Sequence, residues 1–304
     1  GGTNLVRADG SPKFSMVCTL TGAILNTILD PIFIFVFDMG IAGAAWATII
    51  GQIVSGVMVL VYLSHFKTVK IGKEQLKPDF EHFGRIAALG TAPCFNQLAM
   101  MVVQIALNNV LTHYGASSSY GSDIPLACAG IITKVNMIFF SFNIGISQGL
   151  QPIISFNYGA DKLARVKEAY LKATAAATII STAAFLCFQL FPRQIIGIFG
   201  SESEAYFQFA ERFFRIYLFC TFINGIQPIT SNFFTAIGKA SRGVFISLTR
   251  QIIFLLPLML ILPMFMGIDG VMYSAPIADA IAAFFAITFA AKELKKYPSL
   301  KKSV

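Results

Sequence analysis

Charged residues are scarce in this chain: 12% of its 304 residues are Asp, Glu, Lys or Arg, about half the share of an average soluble domain. One tryptophan stands against 30 phenylalanines, a balance that suits a lipid-facing surface better than a water-soluble core. The five cysteines (Cys18, Cys94, Cys128, Cys187, Cys220) lie within apolar stretches and show no C-x-x-C spacing. They read as small buried hydrophobes, which argues against a disulfide framework or a structural metal site. No Walker A loop, zinc signature or dinucleotide fingerprint occurs, so nothing points to ATP as an energy source and no cofactor is expected. Gly145-Ile146-Ser147-Gln148-Gly149 has the G-x-S-x-G spacing of a nucleophile elbow. That motif needs a strand-to-helix turn and a reachable histidine. Here it falls inside an apolar span, and His65, His82 and His113 sit at span ends or in loops. The chain is therefore not expected to be an enzyme, and the same residues read better as a small-xxx-small packing face.

What is present comes in blocks. A membrane span needs about 20 predominantly apolar residues, and eight stretches qualify: about 14–37, 43–65, 84–112, 125–153, 168–191, 207–235, 243–265 and 270–291. The fold class predicted is an all-α polytopic membrane protein with eight transmembrane helices. The net charge of +8 does not imply a nucleic-acid partner, because its distribution follows topology. Alternate loops are basic: Arg7 and Lys13, then Lys67 to Arg85, then Lys162 to Lys172, then Lys239 and Arg242, then the tail from Lys292. The intervening loops hold only Arg193. This positive-inside alternation places both termini of the chain on the cytoplasmic side.

A repeat organises the chain. Met39-Gly40-Ile41-Ala42-Gly43 opens the second span and Met266-Gly267-Ile268-Asp269-Gly270 opens the last. In that register Trp46 matches Tyr273 and Gln52 matches Asp279. Duplicated helical bundles with a substrate path between them are typical of secondary transporters. The expected organisation is a helical hairpin over 1–65, a basic cytoplasmic linker over 66–82, a six-span bundle over 83–291 and a basic tail over 292–304. The chain starts at Gly1 in a polar loop that leads straight into a span, and the expectation is that further residues precede it.

The span richest in chemical meaning is the first. Asp30 lies inside it, with Asn26 one turn earlier and Pro31 directly after. An unpaired acid in a membrane costs several kcal/mol without compensation and is a functional site by default. Asn26 and Asp30, four residues apart, share a helix face, and Pro31 withholds a backbone donor and frees a carbonyl. An amide oxygen, a carboxylate and a freed carbonyl are hard ligands suited to Na+, and the same acid could instead carry H+. Other polar residues in spans are candidates for a substrate pathway or for intramembrane pairing: Asn96, Gln97, Gln104, Lys134, Asn143, Gln227, Arg250 and Asp279. Lys134 and Arg250 are expected to face the bundle interior, with Asp279 the obvious acid for an ion pair.

Several motifs together carry a family resemblance. Asp9-Gly10-Ser11-Pro12-Lys13 followed by Ile24–Ile34, and then Gly40–Thr48, resemble the fifth and sixth helices of multidrug and toxic compound extrusion (MATE) transporters. Gln151–Ala160 is similar to the end of the eighth, and Asn232–Ala240 with Arg250-Gln251 resemble the tenth and eleventh in the bacterial MepA-like branch. The resemblance runs from Gly1 to the tail. It implies a twelve-helix antiporter of two six-helix lobes in a bacterial cytoplasmic membrane, exporting small organic cations against Na+ or H+ by alternating access. Family members with a cation site in the first lobe use an aspartate and an asparagine on the fifth helix and a threonine on the sixth. These carry over to Asp30, Asn26 and Thr48. The first four helices, which would supply the remaining ligands, are then a missing covalent partner, and membrane lipid is the other. Two other classes fit the residues less well. A flippase of a lipid-linked saccharide would need a cavity rich in arginine and lysine, and only Lys134 and Arg250 lie deep. A membrane-embedded enzyme would need a convergent Asp/His/Ser cluster.

Overall fold

A computed structural model describes residues 2–66, 80–199 and 204–298. Most of the expected linker 66–82, including Lys67, Lys70, Lys73 and Lys77, and the end of the expected tail 292–304 lie outside the described residues. Among the described residues the chain is helical throughout. Its contacts divide it into two compact units, residues 1–83 and 84–304.

Unit 1 contains the short helix α1 (Gly2–Ala8), α2 (Pro12–Pro31) and α3 (Gly40–Leu63). Pro12 opens α2 at a position where a missing N–H costs nothing. Past Pro31 the coil widens into a π-helical segment, Ile32–Val36, closed by Phe37 N–H donating to Ile32 O at 3.0 Å. Pro31 has no N–H to offer the carbonyl four residues back, so the Thr27 carbonyl lacks its usual helical donor. The pair α2–α3 is drawn together by glycine: a Cβ on Gly22 would lie 2.8 Å from Gly51 O, and one on Gly51 2.6 Å from Gly22 O. Such backbone contact is how helices associate where lipid removes the hydrophobic driving force. A small core of Val6, Cys18 and Val59 sits at one end, where Phe14 stacks on Tyr62 at 5.0 Å and the Tyr62 hydroxyl donates to Asp9 at 2.9 Å.

Two long helices come next, α4 (Phe80–Ala116), which belongs to unit 2 from Gly84 onward, and α5 (Asp123–Gly159). Then come α6 (Leu163–Leu190), the short α7 (Pro192–Gly197), α8 (Glu204–Tyr217), α9 (Ile226–Ala236), α10 (Ala240–Leu248), α11 (Leu256–Met266) and α12 (Ile268–Leu294). A second π-helical segment, Thr249–Leu255, joins α10 to α11 as one span. Seven of the eight predicted spans are continuous helices long and apolar enough to cross a membrane. The exception is 207–235. Its chain leaves the α-helix after Tyr217, makes a single 3-10 turn at Thr221–Ile223, and resumes at Ile226 as α9. α12 is the central element, packed on α8, α9, α10, α11 and the π segment.

The apolar interior of unit 2 forms two separate clusters. One gathers Phe188, Phe209, Phe213, Phe214 and Met259. The other gathers Tyr170, Ile229, Phe233, Phe234 and Ile246. Between them, on every helix that contributes to both, lie buried polar residues: Asn143 and Ser147 on α5, Ser181 on α6, Asn224 and Gln227 beside the break, and Asp279 on α12. The repeat seen in the sequence is also geometric. Gly40 and Gly267 both turn the chain with positive φ, +54° and +60°. Gly43 and Gly270, three residues on, are both points of backbone approach: a Cβ would meet Phe33 at 2.9 Å in one and Leu262 at 2.4 Å in the other.

Gly270→Ala should lower stability by about 1–3 kcal/mol, since the methyl meets backbone that must move. Gly145→Ala, where nothing lies within 4 Å, should be neutral or gain up to about 1 kcal/mol. Thermal unfolding of the two variants in one detergent checks the contrast.

Candidate functional site

Two polar constellations sit at membrane depth, one in each unit. In unit 1 the α-helical period stacks Asn26 over Asp30, and the close glycine crossing brings α3 within reach. A Cβ on Gly51 would also touch the Asn26 Cβ at 3.3 Å, so the same contact that joins the helices sets the distance from Asn26 to Thr48. The Asn26 amide donates to Asp30 Oδ1 at 3.4 Å and to Thr48 Oγ1 at 3.2 Å. Thr48 in turn donates to the Ala44 carbonyl at 2.9 Å. Asn26 and Asp30 are half-buried and Thr48 is exposed. Asn26 and Thr48 line a cavity of about 470 Å³ together with Thr19, Gln52 and Ser55. Among the described residues no cation pairs with Asp30, and its one hydrogen-bond partner is the amide. Turning that amide exchanges its donor for an oxygen. The three side chains then present a carboxylate, an amide oxygen and a hydroxyl, the hard donors that Na+ prefers.

In unit 2 the centre is Asp279, three residues after Pro276 on α12, with 3% of its side chain exposed. Its Oδ1 accepts from Arg250 Nε at 2.5 Å and its Oδ2 from Asn224 Nδ2 at 2.8 Å. One acid thus joins α12, the π segment that carries Arg250 and the break that carries Asn224. Further side-chain bonds tie the layer together: Ser147 donates to Pro228 O at 2.8 Å, Asn232 donates to Ser147 at 2.6 Å, and Gln227 donates to Ile246 O at 3.3 Å. Asn143 donates to Ser181 at 2.8 Å, while its own oxygen is buried without a donor among the described residues.

The remaining predicted residues scatter. Asn96 accepts from Ser247 at 2.8 Å, and Gln104 donates to Asn108 at 3.1 Å on an exposed face of α4. Gln97 and Gln104 line a shallow cavity of about 660 Å³ with Cys94, Met100 and Met101. Lys134 is exposed on the surface of unit 2 and not in its interior; Arg250 alone pairs with Asp279. Ser181 was not singled out from sequence, and Ser147 stood there only as part of a small-xxx-small packing face. Gly225 and Pro228, which bracket the start of α9, are the signal that marks their neighbourhood.

A family model described as MatE matches residues 92–261. The chain is 27% identical over 284 residues to a curated protein named multidrug export protein MepA from Staphylococcus aureus (strain bovine RF122 / ET3-1), covering 92% of this chain and 60% of that protein. Identity and coverage are the same for the protein of that name from Staphylococcus saprophyticus subsp. saprophyticus. The chain therefore spans about 60% of the length of these relatives. Among solved structures, a MATE crystal structure in the straight conformation matches with a TM-score of 0.87 at 21% identity, over 97% of this chain and 65% of that one. An outward-facing multidrug resistance MATE family transporter of the MOP superfamily matches with a TM-score of 0.87 at 22% identity and the same coverage. These establish a shared fold.

Removing one partner of a buried pair strands the other and costs about 3–5 kcal/mol, whereas replacing both with apolar groups is often neutral. Asp279→Asn should accordingly lower the unfolding temperature and the membrane yield. Asp279→Leu combined with Arg250→Met should recover most of the loss, read from thermal unfolding and fluorescence-detected gel filtration.

Proposed function

Because the chain belongs to the MatE family, whose model covers more than half of it, and whose members are transporters, we propose that it serves multidrug export by antiport. In this reading small organic cations leave across a bacterial cytoplasmic membrane in exchange for Na+ or H+. Alternating access replaces ATP hydrolysis. Unit 2 acts as one lobe and unit 1 as part of the other, with the basic loops and both ends of the chain on the cytoplasmic side.

The observation that carries this reading is the carboxylate of Asp30, which has no cationic partner among the described residues and lies within a span beside Asn26 and Thr48. A carboxylate without a counter-charge in that position is costly, and the cost falls when a cation or proton arrives. Arrival therefore favours whichever lobe conformation brings oxygen ligands around Asp30. Departure favours the other. A transported cation that needs the opposite conformation is coupled to this exchange by differential affinity alone. Arg250 is already neutralised by Asp279, so of the two cations that the sequence placed deep only Lys134, exposed on the surface of unit 2, is left to meet a phosphate. This weighs against a flippase of lipid-linked saccharides.

A charged ligand contributes about 1.5–3 kcal/mol, so Asp30→Asn expressed from the native gene should slow ethidium efflux by about ten- to a hundredfold. The amount of protein in the membrane should stay the same. Proteoliposomes with an imposed Na+ or H+ gradient then identify the coupling ion. Efflux that keeps its rate and its ion dependence in Asp30→Asn would overturn the reading.

A further inference from the structure

The end of α12 carries a feature that the transport reading does not use. Glu293 is buried, with 3% of its side chain exposed, yet three cations converge on it. Lys239 pairs with Oε1, Arg242 reaches Oε2 at 3.1 Å, and Lys296 reaches Oε2 at 3.5 Å. The Tyr297 hydroxyl donates to Oε1 at 3.5 Å. Burial, reinforced by Glu293 beside it, pushes the Tyr297 phenol well above its ordinary pKa, so it stays neutral and adds no negative charge. Three cations around one carboxylate leave two positive charges. The outer faces of Lys239 and Arg242 remain open, their side chains 33% and 48% exposed. Lys167, donating to the Tyr297 carbonyl at 3.4 Å, adds a further cation on the same side.

Directly beneath runs a ladder of phenylalanines along the seam between α10, the π segment and α12. Arg242 lies over the Phe234 ring at 6.0 Å. Phe245 meets Phe289 at 5.9 Å and Phe285 at 6.4 Å, and Phe254 stacks on Phe285 at 6.1 Å. The seam is open on its outer side, where Phe245 is 42% exposed and Phe284 67%. A net-positive corner at the end of a span, continuous with an open apolar seam running into the membrane, has the polarity of one kind of molecule. Basic pockets between transmembrane helices on the cytoplasmic side take anionic head groups. Aromatic side chains supply a large apolar contact area.

We propose that this corner of unit 2 is a binding site for an anionic phospholipid, with its phosphate between Lys239 and Arg242 and an acyl chain along Phe245, Phe285 and Phe254. Glu293 positions the two cations from below, and its single charge is too little to neutralise them.

The test is lipid retention in native mass spectrometry of the purified chain in detergent, with phosphatidylglycerol and phosphatidylcholine of identical acyl chains in competition. Wild type should retain phosphatidylglycerol preferentially. Each Lys or Arg near a membrane surface favours anionic lipid by an amount equivalent to about fivefold. Lys239→Gln with Arg242→Gln should then reduce the preference about 30-fold. That double variant leaves the buried Glu293 with only Lys296 and the Tyr297 hydroxyl, so the triple variant with Glu293→Gln removes the carboxylate as well and keeps the test independent of folding. Inorganic phosphate in equimolar amount should not displace the lipid, because it has nothing to lay on the phenylalanines. Equal retention of the two lipids, a preference that survives in the triple variant, or displacement by inorganic phosphate would each overturn the proposal.

Discussion

In a hydrocarbon medium no water is available to take up a backbone group that leaves its helix, and every such group must find a partner inside the protein. That constraint organises unit 2. The chain between Tyr217 and Ile226 is not α-helical, and it meets the constraint with tight turns of its own, Thr221 N–H donating to Leu218 O and Asn224 N–H to Thr221 O, both at 3.1 Å. Beside the turns, Ser147 donates to the Pro228 carbonyl in the first turn of α9, and the Asn224 side chain donates to Asp279. Asp279 in turn is tolerable because Arg250 neutralises it. The polar layer lies beside the interrupted helix, with one apolar cluster on either side of it.

Unit 1 answers the same medium differently. Its two long helices keep nearly all their backbone bonds within themselves and meet through the Gly22–Gly51 contact. The one irregularity, the π segment after Pro31, follows the one acid. Close approach of backbones has a second effect: it lets a short amide side chain on α2 touch a hydroxyl on α3. Packing and candidate site are therefore one arrangement in this unit. Any substitution that spreads the glycine crossing also separates Asn26 from Thr48.

Much of this was legible in the residues. Hydropathy located the spans because apolar length is a direct requirement of the bilayer, and the repeated Met-Gly-Ile-x-Gly motif anticipated two hairpins with the same turn. Asn26 and Asp30 could be paired from their spacing of four; Thr48 entered only through the family resemblance, because proximity across two helices leaves no local trace. The break at Leu218–Gly225 was invisible for a related reason. Tyr217-Leu218-Phe219-Cys220 and Ile226 are as apolar as a continuous span would be, and hydropathy does not register backbone geometry. The long helices also overran their expected limits: α4 and α5 extend to Ala116 and Gly159, against predicted ends at 112 and 153. Polar residues at helix ends remain helical outside the apolar block. Lys134 stands exposed because in a helix flanked by lipid or by another part of the protein, charge alone does not say which side is the inside.

The Arg250–Asp279 pair also has an electrical meaning. A membrane potential acts on net charge, at about 2.3 kcal/mol per elementary charge per 100 mV. Two opposite charges 2.5 Å apart that move as one body carry no net charge through the field, so a rearrangement of unit 2 that keeps them together is electrically silent. Asp30 in unit 1 and Lys134 in unit 2 lack such a neutralising partner among the described residues. Voltage can therefore bias this chain through those two side chains, while the most deeply buried charges in its core remain indifferent to it.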